Sequence, residues 1–274
     1  MHGTARIRAL RLSSPTARRL ESAPPEAGRI HSVFQRAVNI ARPDGRLLTL
    51  HGPGPLLAPF AIALARLPEG LCPGAPARLG GGVLALAGTA VHWRGAALVD
   101  TAMPASPDGP GSALSLLPGP PAAASAPGLS SAAGREIRER LARGLGRRDP
   151  DLFLGAARAL VGLGEGLTPG GDDCLVGVLA VIHRFAGAWL RRHPDIPAGI
   201  ERAAATGTTA VAREFVSHAL AGHFAESLID LVSAGSPGRA AGAAHRLLRA
   251  GATSGADTLL GVRLALTALG APPA

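Results

Sequence analysis

The chain has 274 residues, a formal net charge of +9 and a hydrophobic content of 47%. That content is typical of a globular protein, and the length suits one large domain or two modest ones. Its 28 basic residues are all arginine, so a Walker-type phosphate loop, a Schiff base and a lysine general base are excluded. The arginines are scattered and aromatic residues make up only 3%, which favours a small anionic substrate over nucleic acid.

We predict no targeting signal in the N-terminal segment. Five arginines between Met1 and Leu20 leave no apolar stretch for a signal peptide. The longest apolar runs are shorter than the roughly 20 residues that cross a bilayer. We therefore expect a cytoplasmic protein that does not enter a membrane. Cys72 and Cys174 fit neither a disulfide framework nor a metal motif.

Short β-compatible runs separated by Gly and Pro turns fill residues 1–105. This pattern predicts a mostly β barrel or sandwich, with one short helix at Pro59–Leu67. The predicted strands lie within residues 29–41, 47–51, 78–87, 90–94 and 96–99.

Residues 106–134 are rich in Pro, Gly, Ala and Ser, which predicts a linker or long loop. From residue 135 to 274 the apolar residues recur at helical spacing. We predict an α-helical domain of six or seven helices, so the fold class is α+β. The predicted helices are 135–147, 150–163, 173–191, 208–223, 225–234, 239–250 and 257–269.

The helical part contains one motif twice. GLTPGGDDCLVGVLA begins at Gly166 and GATSGADTLLGVRLA begins at Gly251. Each copy reads as a small-residue turn that opens a helix, and the N-terminus of a helix attracts anions. Two such starts predict one composite site. With one residue gapped in the second copy, the matched residues are Gly166, Thr168, Gly171, Asp173, Leu175, Gly177 and Val178 with Gly251, Thr253, Gly255, Asp257, Leu259, Gly261 and Val262.

Three aspartates stand at these helix starts. Asp172 and Asp173 either complement the helix dipole or serve a site, and the matching Asp257 favours a site. Gly177 and Gly261 follow one turn later, which predicts that the two helices cross in close contact. Two converging carboxylates repel each other unless a cation, an arginine or a shared proton intervenes. Asp173 and Asp257 are therefore candidate ligands of a divalent cation such as magnesium, or acceptors for N–H groups of a polar substrate.

The two aspartate motifs, together with GRIHSVF from Gly28, AVN from Ala37 and LLTL from Leu47, resemble a bacterial family catalogued as of unknown function. That family includes a subunit of the anaerobic allantoin-pathway oxamate carbamoyltransferase. The resemblance implies a multi-subunit enzyme that interconverts oxalurate plus phosphate with oxamate plus carbamoyl phosphate. It also implies two partners, an acyl-CoA-synthetase-like subunit and a second large subunit. Gly170 departs from the Ser or Ala more common in the family, which removes a hydroxyl contact.

We assign catalytic roles to Asp172, Asp173 and Asp257. Two other functions stay open: a non-catalytic scaffold or small-anion-binding subunit of the same complex, and a stand-alone metal-dependent hydrolase that uses the aspartate pair. His31, Ser32 and Asn39 are weaker candidates, since a lone histidine is more often structural. The residues assigned to binding substrate or anion are Gly166, Thr168, Gly170, Gly171, Thr253, Ser254, Gly255, His31, Ser32 and Asn39.

Overall fold

The computed structural model describes residues 5–22, 24–54, 57–118, 127–249, 251 and 253–270. The chain divides into two units, Met1–Thr101 and Ala102–Ala274. Each unit has its own hydrophobic core. Together they form the α+β fold that the sequence predicts, with strands in the first unit and helices in the second.

The first unit is a closed β-barrel. Eight strands follow the order β5-β4-β3-β2-β6-β7-β8-β1, and β1 pairs again with β5 to close the sheet. A ninth short strand, β9, pairs in parallel with the end of β1. Of the two architectures predicted from the sequence, a barrel or a sandwich, the first unit is thus a barrel. The strands are β1 (Ala5–Ser13), β2 (Glu26–Val33), β3 (Ala37–Ala41), β4 (Leu47–His51), β5 (Ala61–Leu64), β6 (Pro76–Gly80), β7 (Val83–Leu86), β8 (Thr89–His92) and β9 (Ala97–Val99).

Two elements of this unit differ from the sequence prediction. The predicted helix at residues 59–67 is wrong, because its centre is the fully buried strand β5. A short apolar run of this kind cannot be assigned to helix or strand by periodicity alone. Among the described residues of this unit the helix is instead α1 (Ser14–Ser22), which follows β1 directly. In β1, Arg6 and Arg8 are exposed while Ile7 and Ala9 are buried, as expected of a half-buried strand.

The second unit contains eleven helices among its described residues, more than the six or seven predicted. The predicted helix 173–191 ends at Phe185, and a separate short helix follows. A further helix, 195–207, escaped prediction because Pro197 lies in its first turn, where proline is tolerated. The helices are α2 (Pro110–Leu116), α3 (Pro127–Ser130), α4 (Ala132–Gly146), α5 (Pro150–Leu160), α6 (Gly170–Phe185), α7 (Gly187–Arg192), α8 (Asp195–Gly207), α9 (Ala210–Leu220), α10 (Glu226–Val232), α11 (Pro237–Leu248) and α12 (Ser254–Gly270).

The segment 106–134 is not a plain linker in its described part. Helix α2 packs on α12, and α3 packs on α4 and α6. Leu114, Leu116 and Leu117 contribute to the core of the second unit, although the surrounding Pro and Gly hide this apolar contribution in the composition. The boundary between the two units lies after Thr101, four residues before the end of the predicted β domain at residue 105. Residues 119–126 lie outside the described residues.

Helix α6 is the central element of the second unit. Every residue from Gly170 to Ile182 is buried. A helix that is buried on all sides is expected to be apolar all round, and α6 departs from this only near its N-terminus, where the two aspartates stand. Its main neighbour is α12. Within the described residues, none of the helices has the length and apolar character needed to cross a bilayer.

Candidate functional site

Both copies of the repeated motif open helices, as predicted. The first copy starts α6 at Gly170, and the second starts α12 at Ser254. The loop before α6 needs glycine at Gly162, which has a φ of 73°. A Cβ atom there would lie 1.9 Å from the carbonyl oxygen of Gly207. The loop is therefore pressed against the C-terminal end of α8.

The matched glycines of the two motifs join α6 to α12. A Cβ atom on Gly177 would lie 2.1 Å from the carbonyl oxygen of Thr258, and one on Gly261 would lie 2.0 Å from that of Cys174. Cys174 and Thr258 each follow the matched aspartate of their own motif. The contact is therefore reciprocal, with an approximate two-fold relation between the two helices. It brings their first turns together, as the glycine spacing predicts.

A second pair of glycines fixes each motif to the helix that precedes it. A Cβ atom on Gly171 would lie 2.0 Å from the carbonyl oxygen of Leu160 in α5. One on Gly255 would lie 2.1 Å from that of Leu247 in α11. Each motif is thus the second half of a helix-loop-helix pair. The space that the missing side chains of Gly171 and Gly255 leave is therefore filled by backbone of the preceding helix and not by a ligand.

Asp173 lies beside Asp257 beneath the two turns. Both are buried, with relative exposures of 6% and 0%. Burial raises the pKa of Asp173 well above its usual 3.8, and the carboxylates of Asp257 and Asp172 raise it further. Hydrogen bonds from the hydroxyls of Ser254 and Thr168 oppose this rise in the pKa. Because a raised pKa favours the protonated form, a proton on Asp173 relieves the repulsion between the carboxyl groups.

Asp172 faces a different part of the unit. Its Oδ2 accepts hydrogen bonds from the Gly162 amide at 3.1 Å and from Thr208 Oγ1 at 2.7 Å. Burial raises its pKa to about 6, against the lowering effect of these two bonds. Asp172 thus ties the loop before α6 to the end of α8. Among the described residues, Asp172 Oδ1 and Asp173 Oδ2 are buried without a hydrogen-bond partner.

The turn before α6 offers fewer free amides than the sequence predicts. The amide of Gly171 donates to the Leu163 carbonyl at 2.8 Å, and those of Asp172 and Asp173 donate to the Pro169 carbonyl. The reason is the close packing of Gly171 on α5, which places its amide against the loop. Other groups of the predicted anion site lie nearer the surface. Gly166 is exposed, and Thr168, Thr253 and Ser254 are half-buried.

The described residues contain no group of three or more His, Cys, Asp or Glu side chains placed to hold a metal ion. Asp173 and Asp257 by themselves offer two carboxyl groups. This donor set fits a divalent cation poorly, because such ions take several oxygen ligands. Cys174 is buried beside them, and burial raises the pKa of its thiol to about 12. It is therefore a packing residue and not a nucleophile.

The three weaker candidates lie in the barrel unit and form one polar network. His31 stands at a bulge of β2, and its Nδ1 is 3.1 Å from Ser32 Oγ. Asn39 Nδ2 donates to Ser32 Oγ at 3.0 Å, and Thr49 Oγ1 donates to Asn39 Oδ1 at 2.6 Å. Ser32, Asn39 and Thr49 are register partners across β2, β3 and β4. Thr49, which extends this network into β4, was not among the residues predicted from the sequence.

Two family models match the chain over these same elements. One, described as oxamate carbamoyltransferase subunit AllH, matches residues 160–266, which include both aspartate motifs. The other, described as the AllH family N-terminal domain, matches residues 8–98 of the barrel. The chain belongs to the AllH family. No solved structure matches the chain.

Membership of the AllH family makes the chain a subunit of a carbamoyltransferase, which implies partner chains. It confirms the family resemblance carried by the two motifs and by the strands of the barrel. The AllH match begins at Leu160, the residue on which Gly171 packs, and ends at Leu266 within α12. The pair α11–α12 lies almost wholly inside that range, whereas of the pair α5–α6 only α6, the loop before it and Leu160 do.

Proposed function

We propose that this chain carries the anion and carbamoyl site of an oxamate carbamoyltransferase at the paired N-termini of α6 and α12. The reaction is the interconversion of oxalurate plus phosphate with oxamate plus carbamoyl phosphate. The observation that carries the proposal is the meeting of Asp173 with Asp257 and Ser254 beneath the two turns. The two aspartates come from matched positions of the two motifs, and both are buried. A carboxylate that only complements a helix dipole can remain at the surface, so their burial together points to a shared site.

The site meets the negative charge of phosphate and of the oxamate carboxylate in two ways. The dipoles of two helices end there with their positive poles. The hydroxyl group of Thr253 can donate a hydrogen bond to the anion, and those of Thr168 and Ser254, which donate to Asp173 in this structure, can turn to the anion once Asp173 is protonated. Protonation of Asp173 lowers the opposing negative charge, so an anion does not face three carboxylates at once.

The carbamoyl group requires acceptors for its NH₂. Asp173 Oδ2 is buried and has no hydrogen-bond partner within the described part of the chain, so it is the acceptor we assign to that group. Asp257 is assigned to accept a hydrogen bond from the protonated Asp173 and so to fix its orientation. Asp172 is a positioning residue, because its Oδ2 is committed to Gly162 and Thr208. The partner subunits implied by the resemblance, one of them acyl-CoA-synthetase-like, complete the active assembly.

A second candidate is a scaffold subunit whose aspartates hold the helix starts together. Two observations favour it: Asp257 has no exposed surface, and the Gly171 amide already donates to Leu163. In that case the chemistry lies on a partner subunit. The two candidates predict different results for an isosteric change at Asp257. Turnover falls if the site is on this chain, and turnover is unchanged in a correctly assembled complex if the chain is a scaffold.

The decisive experiment compares variants in the assembled enzyme. We expect Asp257→Asn to lower kcat by about 100-fold or more, because Asp257 orients Asp173, the acceptor assigned to the carbamoyl NH₂. Ser254→Ala is expected to raise the KM for phosphate with little effect on folding. Asp230→Asn, an exposed aspartate paired with Arg246, is the matched control and keeps full activity. Full activity of both Asp257→Asn and Ser254→Ala in a correctly assembled complex would establish the scaffold candidate.

A further inference from the structure

A groove of about 510 Å³ lies between α4 and α12. Its floor is apolar and consists of Ala142, Leu260, Leu264 and Ala268. Its edges carry Arg138, Arg143, Arg147 and Arg263. The proposed carbamoyl site uses none of these residues.

The positive charge of the groove is concentrated beyond what the composition explains. Four of its ten lining residues are arginine and none is acidic, whereas the chain as a whole has 28 arginines in 274 residues. Arg143 in the last turn of α4 and Arg147 directly after that helix are exposed and have no ion-pair partner among the described residues. Nε of Arg138 is buried without a hydrogen-bond partner in that part of the chain. Nη1 of Arg263 donates to the Pro118 carbonyl oxygen, which does not neutralise its charge, so the groove keeps four positive charges that can meet an acidic ligand.

The shape of the floor indicates the kind of ligand. Leu260, Leu264 and Ala268 follow one another at four-residue spacing, so they form one half-buried stripe along α12. At one end the two helices approach closely, since a Cβ atom on Gly146 would lie 3.1 Å from the Ala268 carbonyl oxygen. An apolar trench along two helices is the surface on which an amphipathic helix docks.

We propose that this groove is the docking surface for an amphipathic helix of a partner subunit, with an apolar stripe flanked by Asp and Glu side chains. The arginines on its edges pair with the acidic flanks, and complementary charge fixes the register and speeds association. The stripe on α12 takes the apolar side chains. The proposal uses the chain's membership of a subunit family and does not depend on the chemistry assigned to Asp173 and Asp257.

Charge reversal in the assembled enzyme tests the groove. Arg143→Glu with Arg147→Glu should weaken association with the partner subunit by at least about tenfold, measured by titration of purified subunits. The pair Arg143→Lys and Arg147→Lys keeps the charge and should retain most of the affinity. Arg202→Glu with Arg239→Glu makes the same charge change at exposed positions outside the groove and should leave association unchanged. Circular dichroism shows that each variant is folded.

A photo-cross-linker at Thr267, an exposed residue of the groove, identifies the occupant. We expect mass spectrometry to place the cross-link in an acidic amphipathic helix of another subunit, and a cross-linker at Arg202 to give none. The proposal is overturned if the Arg143→Glu, Arg147→Glu variant associates normally with the partner subunit. It is also overturned if the cross-link forms only with a second copy of this chain. A third outcome would assign the groove to a small anion instead. In that case phosphate would raise the melting temperature of the wild type but not that of the Arg143→Glu, Arg147→Glu variant, and the variant would associate normally. Subunit association is measured apart from turnover, so failure here is distinct from failure of the carbamoyl site.

Discussion

At the scale of the residue, two adjacent aspartates perform different tasks. Asp172 braces a loop through the Gly162 amide and Thr208, whereas Asp173 meets the second motif at Ser254 and Asp257. Neighbouring residues of a helix point about 100° apart, so adjacent side chains reach different surroundings. The raised pKa of each has burial as its main cause.

The raised pKa of Asp172 predicts a dependence of stability on pH. The folded value is about 6 and the ordinary value is 3.8, so the folded state binds the proton more tightly than the unfolded chain does. This stabilisation is complete below about pH 4 and is lost as the pH rises through about 6. We expect the free energy of unfolding of the wild type, relative to Asp172→Asn, to fall by about 1–3 kcal/mol over that window. Urea unfolding of both proteins at several pH values measures it, and parallel curves would contradict the assignment.

At the scale of the element, α6 and α12 cross with their backbones in direct contact. Gly177 and Gly261 each meet a carbonyl oxygen of the other helix, so backbone packs directly on backbone. The loss of helix propensity at the two glycines, roughly 1 kcal/mol each, is offset by this contact. The crossing also sets the distance between the two helix starts, and therefore the geometry of the aspartates.

Substitution of these glycines by alanine tests the crossing. We expect Gly177→Ala and Gly261→Ala each to destabilise the protein by at least about 3 kcal/mol, because the new methyl group would overlap backbone that cannot move aside. Gly155→Ala is the matched control, since Gly155 also lies within a helix but a Cβ atom there meets nothing within 4 Å. That change should stabilise the protein by up to about 1 kcal/mol. Denaturant unfolding measures all three, and a neutral Gly261→Ala would refute the close crossing.

At the scale of the whole molecule, the chain consists of two units with separate cores. The barrel core is built from strands β1 to β8, and the helical core is built around α6 and α12. Each core is of a size typical of an independently folding domain, because each unit has 100 residues or more. The division follows a change from alternating to helical periodicity in the sequence.

Separate expression tests this division. We expect residues 1–101 to give a folded protein with a β-rich circular dichroism spectrum and residues 102–274 to give one with a strongly helical spectrum. Each should unfold cooperatively, because each keeps its entire hydrophobic core. A fragment that remains unfolded under conditions in which the full chain is folded would show that its core depends on the other unit.

The sequence by itself determined the α+β class, the β-rich first part, most of the helices and the repeated motif. These features are carried by local signals: periodicity, turn residues and a doubled pattern with glycines at fixed spacing. Local signals gave the wrong secondary structure where that structure depends on the neighbouring elements that bury the segment. The buried strand Ala61–Leu64 read as a helix, and the short helices Pro110–Leu116 and Pro127–Ser130 were hidden in a Pro- and Gly-rich composition.

Only the tertiary structure decided what each motif residue contacts. The repeat places Asp172, Asp173 and Asp257 at helix starts, but it does not say that Asp172 binds Gly162 and Thr208. Nor could the glycines reveal whether they admit a ligand or backbone, and Gly171 and Gly255 were found against carbonyl oxygens of the preceding helices. The physical reason is that helix periodicity fixes which side of a helix a residue occupies. What stands opposite that side depends on contacts between segments distant in the sequence.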